Sequence, residues 1–160
     1  MKALAIILVI LLLVALAGVG ILYFNSSLQA TFVSVIVTDP VAQQDAFGQL
    51  KSSLESETFV GTRFNTTQLT SPENYLFYTW NLHINNNSFL PVDSIEIQIT
   101  PMSGDMLLYG DTAEHVLAPH SSSDLSATVL TARDMHSVRE ATVTWYVWGL
   151  PFSTRLTLGK

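Results

Sequence analysis

Between Ala3 and Phe24 the chain runs for 22 residues without a charge, and Leu, Ile, Val and Ala supply most of them. At about 1.5 Å per residue such a run makes a helix of about 33 Å, long enough to cross the hydrocarbon of a bilayer. A helix that is apolar on every side has no polar face to offer water, and lipid is the solvent it fits. The remaining 136 residues carry 6 basic and 13 acidic side chains, net −7. The positive mean hydropathy of +0.34 therefore owes much to the apolar run and misrepresents the domain behind it.

A cleaved secretory signal is the competing reading. Lys2 supplies a minimal positive start, Ala3–Val14 an apolar stretch, and Ala15-Leu16-Ala17 a small-x-small site with cleavage after Ala17. Against cleavage, the apolar run continues through Gly18-Val19-Gly20-Ile21-Leu22 with no polar segment, and Tyr23 and Phe24 fall where an interfacial aromatic belt lies. A pilin-type start is ranked low, because no acidic residue occurs before Asp39. The expectation is an uncleaved single-pass anchor contacting the bilayer through residues 3–24. Lys2 places the N-terminus on the cytoplasmic side and the domain outside the cytoplasm.

An acidic chain without a Lys/Arg-rich run lacks the positive surface that neutralises phosphates, so no nucleic acid is expected as a partner. The absence of cysteine excludes disulfides, thiolate metal sites, iron–sulfur clusters, a thiol nucleophile and a lipid-modified cysteine.

After a spacer at 25–30, the dominant hydrophobic period is two, which predicts half-buried strands. Thr31–Thr38 alternates with Val33, Val35 and Val37 on one face. Tyr75–Ile84 places Leu76, Tyr78, Trp80, Leu82 and Ile84 together, and Asp93–Thr100 sets Ile95, Ile97 and Ile99 against Ser94, Glu96 and Gln98. Met106–Tyr109, Asp124–Thr131, Ala141–Trp148 and Phe152–Leu158 continue the pattern, with turn residues at 85–88, 103–105, 119–123 and 149–151. About seven short strands separated by turns predict an all-β fold over 31–160, an antiparallel β-sandwich of immunoglobulin or fibronectin type III appearance. Residues 39–74 fit this least well. Val41–Ser56 predicts a short helix using Phe47, Leu50 and Leu54, with Gly48 in its middle, inside an insertion whose 52–57 and 65–71 stretches read as polar loops.

The stretch Leu82-His83-Ile84-Asn85-Asn86-Asn87-Ser88-Phe89-Leu90-Pro91-Val92-Asp93-Ser94-Ile95 is followed by an alternating strand, Gly110, the segment Val116-Leu117-Ala118-Pro119-His120-Ser121 and a late strand over Val143–Gly149. In this order the residues resemble the LEA14-like or WHy (water stress and hypersensitive response) domain, over about residues 75–159. The family's usual Asn-Pro-Asn turn is here Asn85-Asn86-Asn87. The resemblance implies a fibronectin-like sandwich, often tethered by one N-terminal transmembrane helix, in binding or stress-protective proteins without a catalytic centre.

The four histidines, His83, His115, His120 and His136, show no HxH or HExxH spacing. They read as exposed loop residues, with a two-His site of His115 and His120 completed by Asp111 or Glu114 as the sharper alternative. Ser121-Ser122-Ser123-Asp124 reads as a turn entering a strand, and no Gly-x-Ser-x-Gly elbow exists. Glu55 and Glu57 read as a solvated charged edge, and Gly18 and Gly20 as small residues within the apolar helix. No catalytic, cofactor-binding or metal-ligating residues are expected.

Alternation suggests one surface. If Trp80 and its neighbours face the core, Tyr75 and Phe77 face outward; if Val143, Trp145 and Val147 face the core, Tyr146 and Trp148 face outward. Together these four would form an aromatic stripe suited to protein docking or carbohydrate stacking. The reading we favour is that 39–74 covers it or that the register is one residue out. Asn25-Ser26-Ser27, Asn65-Thr66-Thr67 and Asn86-Asn87-Ser88 match the N-glycosylation pattern. The function expected from all this is a membrane-anchored, non-catalytic module that binds a protein or envelope component. The alternatives are a stress-protective protein and a small His-dependent hydrolase or metal-binding protein.

Overall fold

The computed structural model describes residues 2–25, 27–110 and 115–159, with only the backbone at 22–25. The apolar run is helical over Lys2–Asn25 (α1), and none of the stretch Lys2–Ile21 is buried against the rest of the chain. The extended chain starts at Leu28, earlier than the alternation indicates.

Two antiparallel sheets follow. The strands are β1 (Leu28–Thr38), β2 (Thr62–Arg63), β3 (Tyr75–Asn86), β4 (Ser94–Ile99), β5 (Asp105–Gly110), β6 (Ser122–Ala132), β7 (Arg139–Val147) and β8 (Leu150–Leu158). One sheet has the order β1-β3-β6-β5-β2 and the other β4-β7-β8. Seven of these are the expected strands, and the two-residue β2 is an addition from the insertion. Between the sheets lie Tyr78, Trp80, Leu82 and Ile84 of β3, Ile95 and Ile99 of β4, Leu125 and Val129 of β6, and Val143, Trp145 and Val147 of β7. The period-two pattern thus buried the residues it predicted, because each sheet hides one face against the other. The indole of Trp80, fully buried, donates from Nε1 to the Ser137 carbonyl at 3.1 Å.

β1 departs from expectation. A bulge between Phe32 and Ser34 inserts Val33 as an extra residue, which reverses the alternation. Ala30, Phe32 and Val35 pack on the core and Val37 lies on the same face opposite Tyr78, though exposed at the strand's end, so of the face assigned to Val33, Val35 and Val37 only Val33 is displaced. The bulge falls on an edge strand, where an irregular ladder discourages pairing with another chain.

The segment 39–74 makes a third layer. A 3-10 turn at Pro40–Gln43 leads into helix α2 (Gln44–Glu55), matching the predicted helix and its Phe47, Leu50 and Leu54 face. α2 and the residues after it cover Tyr75, Phe77, Met106, Leu107 and Leu130 on the outer face of the five-stranded sheet. The outward positions of β3 are apolar at Tyr75 and Phe77 but polar at Thr79, Asn81, His83 and Asn85, so the sequence switches where the cover ends. Arg133 fastens both ends of the insertion: Nη2 donates to Asp39 Oδ1 at 2.8 Å and Nε to the Glu73 carbonyl at 2.6 Å. Asp39 also accepts the Val41 N–H, and the two donors hold its carboxyl below the ordinary aspartate value.

Candidate functional site

The strand pairings put the start of β1, the end of β3 and the start of β6 together, through Leu28 opposite Asn86 and Asn85 opposite Ser122. The start of β4 lies opposite the end of β7, with Ser94 against Tyr146. The short link from Asn86 to Ser94 brings these two groups to one end of the sandwich, and α1 enters at that same end.

Asn86 organises this end. It is fully buried, and its Nδ2 donates to the carbonyls of Leu90 at 2.8 Å, Ala118 at 3.1 Å and Leu117 at 3.3 Å. Its Oδ1 accepts the Ser88 N–H at 3.1 Å and the Ser88 hydroxyl at 2.7 Å. One side chain thereby ties the link 87–93 to the segment 117–118, and a reciprocal backbone bridge between Val92 and Leu117 completes the join. A buried amide is stable only when its donors and acceptor are matched, and here they are. The sequence showed a turn asparagine at this position, not a staple between two loops. Its burial also removes Asn86 as a glycan acceptor. Asn65 is exposed and closes a local turn by accepting from Thr67, while the side chains of Asn25 and Ser26 lie outside the described residues.

Trp148 and Gly149 form the two-residue turn between β7 and β8, both with positive φ, 52° and 76°. Positive φ at both positions belongs to the type I′ hairpin turn, which accommodates Asn-Gly readily and a large L side chain at a cost of about 1–2 kcal/mol. The turn therefore lies at Trp148-Gly149 and not at 149–151, and Leu150 and Pro151 are already in β8. Proline is tolerated there because β8 is an edge strand. The Asp93 carboxylate accepts the Trp148 N–H at 3.2 Å and holds the turn.

The four aromatic residues do not form one stripe. β3 and β7 belong to different sheets, so their outward faces point in opposite directions. Tyr75 and Phe77 are buried beneath α2 and its neighbours, Tyr146 is half-buried, and Trp148 stands exposed at the turn. Phe47 stacks on Tyr75 at 6.0 Å, showing how the insertion takes up the surface.

The histidines are dispersed. His83 lies in β3, not in a loop, and its Nδ1 meets Asp124 Oδ1 at 2.6 Å across the strand pair. Both are open to solvent, and among the described residues no hydroxyl is bonded to the other ring nitrogen, as a nucleophilic relay would require. His115 is half-buried, and His120 is exposed with φ 54°. His136 sits at the far end, where its carbonyl accepts from Arg139. Asp111 and Glu114, the acids considered for a His115/His120 site, lie outside the described residues. Among the described residues no group of three or more His, Asp or Glu is arranged to hold a metal.

A cleft of about 400 Å³ opens along one side of the sandwich, between β4 and β5, lined by Thr62, Ser94, Glu96, Gln98, Tyr109 and Ser126 among others. β4 is the terminal strand of its sheet, so its outer backbone edge faces this cleft without a strand partner among the described residues.

No known family model matches the chain, and no curated protein matches it. Among solved structures it is similar to the GAE domain of yeast GGA1, at 9% identity over 61% of this chain and 96% of that one, with a TM-score of 0.40. It is also similar to a FixG-related protein from Vibrio parahaemolyticus, at 11% identity over 82% and 95% of the two chains, with a TM-score of 0.37. The GAE domain of GGA2p from Saccharomyces cerevisiae is 12% identical over 62% and 94%, with a TM-score of 0.36.

Proposed function

We propose that this chain is a non-catalytic binding module, held at the outer face of a membrane by α1, whose sandwich engages a protein or envelope component. The observation that carries the reading is α1 itself: a helix of 24 residues, apolar from Ala3 to Phe24, with none of its Lys2–Ile21 stretch buried by the domain. Water does not solvate such a surface and the fold does not bury it, which leaves lipid. Lys2, the first residue of α1, supports an inside N-terminus. For the partner we assign the cleft beside β4, because a free strand edge offers backbone donors and acceptors to an extended segment and side-chain pockets alongside it. Tethering raises the effective concentration of any partner held in the same membrane, so weak contacts suffice.

The LEA14-like resemblance over residues 75–159 supports the non-catalytic reading and carries the alternative of a stress-protective protein. A His-dependent hydrolase or metal protein ranks below both, because among the described residues the His83–Asp124 pair has no hydroxyl hydrogen-bonded to its other ring nitrogen.

The test is to treat intact cells with a non-permeant protease and follow a C-terminal tag on the full chain. Loss of the tag from a membrane-associated protein is the expected result. A tag that stays protected after any outer barrier is permeabilised puts the domain inside and overturns the outward-binding reading.

A further inference from the structure

Of the described Phe and Trp side chains, two are exposed, Phe89 at 52% and Trp148 at 65%, and both lie at the end of the sandwich where α1 enters. Val116 at 66% and Leu150 at 42% accompany them. Each is presented by a braced loop: Phe89 lies between Ser88 and Leu90, which Asn86 holds, Val116 precedes the Val92–Leu117 bridge, and Trp148 is fixed by Asp93. Exposed apolar side chains gathered on braced loops at one end of a fold mark an interaction surface.

We infer that Phe89, Val116 and Trp148 seat in the headgroup and upper acyl region of the same bilayer that α1 spans, docking the sandwich end-on. The inference rests on the anchored reading above and adds a second membrane contact to it. The occupant follows from chain length. α1 is about 36 Å long, little more than the hydrocarbon thickness, so no helical stalk stands clear of the membrane. Between Asn25 and Leu28 there are three peptide steps, which reach at most about 11 Å. Leu28 is paired with Asn86 at the loop-bearing end, so these tips are held at the depth of the interface. Trp and Phe are side chains suited to that depth.

Charge says which lipid contact operates. The described basic residues of the sandwich lie elsewhere: Lys51 on α2, Arg63 on β2, Arg133 and Arg139 at the far end, and Arg155 opposite Thr142. Asp93 and Asp124 stand at the near end. Attachment therefore comes from apolar insertion and not from attraction to anionic headgroups.

The full chain reconstituted into phosphatidylcholine vesicles tests this, with bromine carried high on the acyl chains as a contact quencher of tryptophan. Trp80 and Trp145 are shielded in the core, so Trp148 is the indole that reports. Brominated lipid is expected to quench the wild-type emission, and Trp148→Asn to lose that quenching while keeping a folded sandwich, since asparagine suits the turn. Phe89→Ser with Val116→Ser is expected to reduce the quenching of Trp148, and adding anionic lipid to leave it unchanged. Helix insertion is read separately, from resistance of the chain to alkaline extraction. An inserted helix with no bromine quenching overturns the end-on docking and leaves the anchor standing; a chain that extracts freely overturns both.

Discussion

Asp93, one residue before β4, accepts the main-chain N–H of Trp148 at 3.2 Å, so the entry to one strand fixes the turn that ends its neighbour β7. The turn holds a tryptophan in left-handed backbone, and the hydrogen bond offsets part of that strain. Replacing Trp148 by Asn gives the preferred Asn-Gly pair and is expected to raise stability by about 1 kcal/mol. Asp93→Ala is expected to lower it by about 1 kcal/mol, the worth of a hydrogen bond to a charged acceptor at an exposed site. Thermal denaturation of the detergent-solubilised chain by circular dichroism checks both signs.

Asn86 is the most demanding polar residue of the near end, because five hydrogen bonds converge on its fully buried side chain. Asn86→Leu leaves the Ser88 N–H without its acceptor and takes one hydrogen bond each from the carbonyls of Leu90, Leu117 and Ala118, which keep Ser88, Val92 and Ser121 as donors, and is expected to cost about 2–3 kcal/mol. Asn86→Asp keeps the acceptor for Ser88 but aims an anion at the carbonyls of Leu90, Leu117 and Ala118, so it is expected to destabilise as strongly. Urea melts of the two variants, with wild-type behaviour from either counting against the staple, decide the matter.

The seven main strands were legible because burial on one side of a sheet writes a period of two into the sequence, as in Ile95, Ile97 and Ile99. Helix α2 was legible from Phe47, Leu50 and Leu54. Sheet membership was not, because alternation along β3 and β7 says nothing about which sheet each joins, so the four aromatic residues lie on two sheets; at Tyr75 and Phe77 the favoured reading, cover by 39–74, holds. The Val33 bulge was invisible for a related reason, since Val33, Val35 and Val37 alternate well in a regular ladder, and only pairing with β3 shows the extra residue. The near-end site depended on contacts far apart in sequence, such as Asp93 with Trp148 and Asn86 with Ala118, which local pattern does not encode.

Gly48 lies within α2, and a methyl group built on it meets nothing within 4 Å. Glycine in a helix leaves the unfolded chain more freedom than alanine does, and nothing in the packing requires it here. Gly48→Ala is expected to stabilise the chain by about 1 kcal/mol, raising the melting temperature by about 3 °C. A loss of stability instead would mean that position 48 does not have the open helical surroundings from which the gain is argued.

The clamp between Asp39 and Arg133 gives the insertion a pH dependence. The bonds from Val41 N–H and Arg133 lower the Asp39 pKa in the folded state below its ordinary 3.8, so the contribution is present above that value and lost as pH falls through the lower, folded one. Both side chains are part exposed, which keeps the effect modest. Asp39→Asn is expected to weaken the chain at neutral pH and to narrow the gap to wild type in acid. Melting temperatures of both proteins across that range provide the measurement, and a gap that widens in acid would contradict it.

At the far end, Arg139 and Asp105 form a bidentate pair with no solvent exposure, Nη2 to Oδ1 at 2.7 Å and Nε to Oδ2 at 2.9 Å. Arg139 also donates to the carbonyls of His136 and Val138, and Asp105 accepts the Met102 N–H at 2.8 Å, so the pair closes two loops at once. Arg139→Met leaves the buried carboxylate without its counter-charge and is expected to cost about 3–5 kcal/mol. Adding Asp105→Leu removes that stranded charge and is expected to recover most of the loss. Recovery stays incomplete because the two carbonyls and the Met102 N–H still lack partners. A double variant no more stable than Arg139→Met alone would show that the loop bonds, and not the opposed charges, hold this end of the sandwich together.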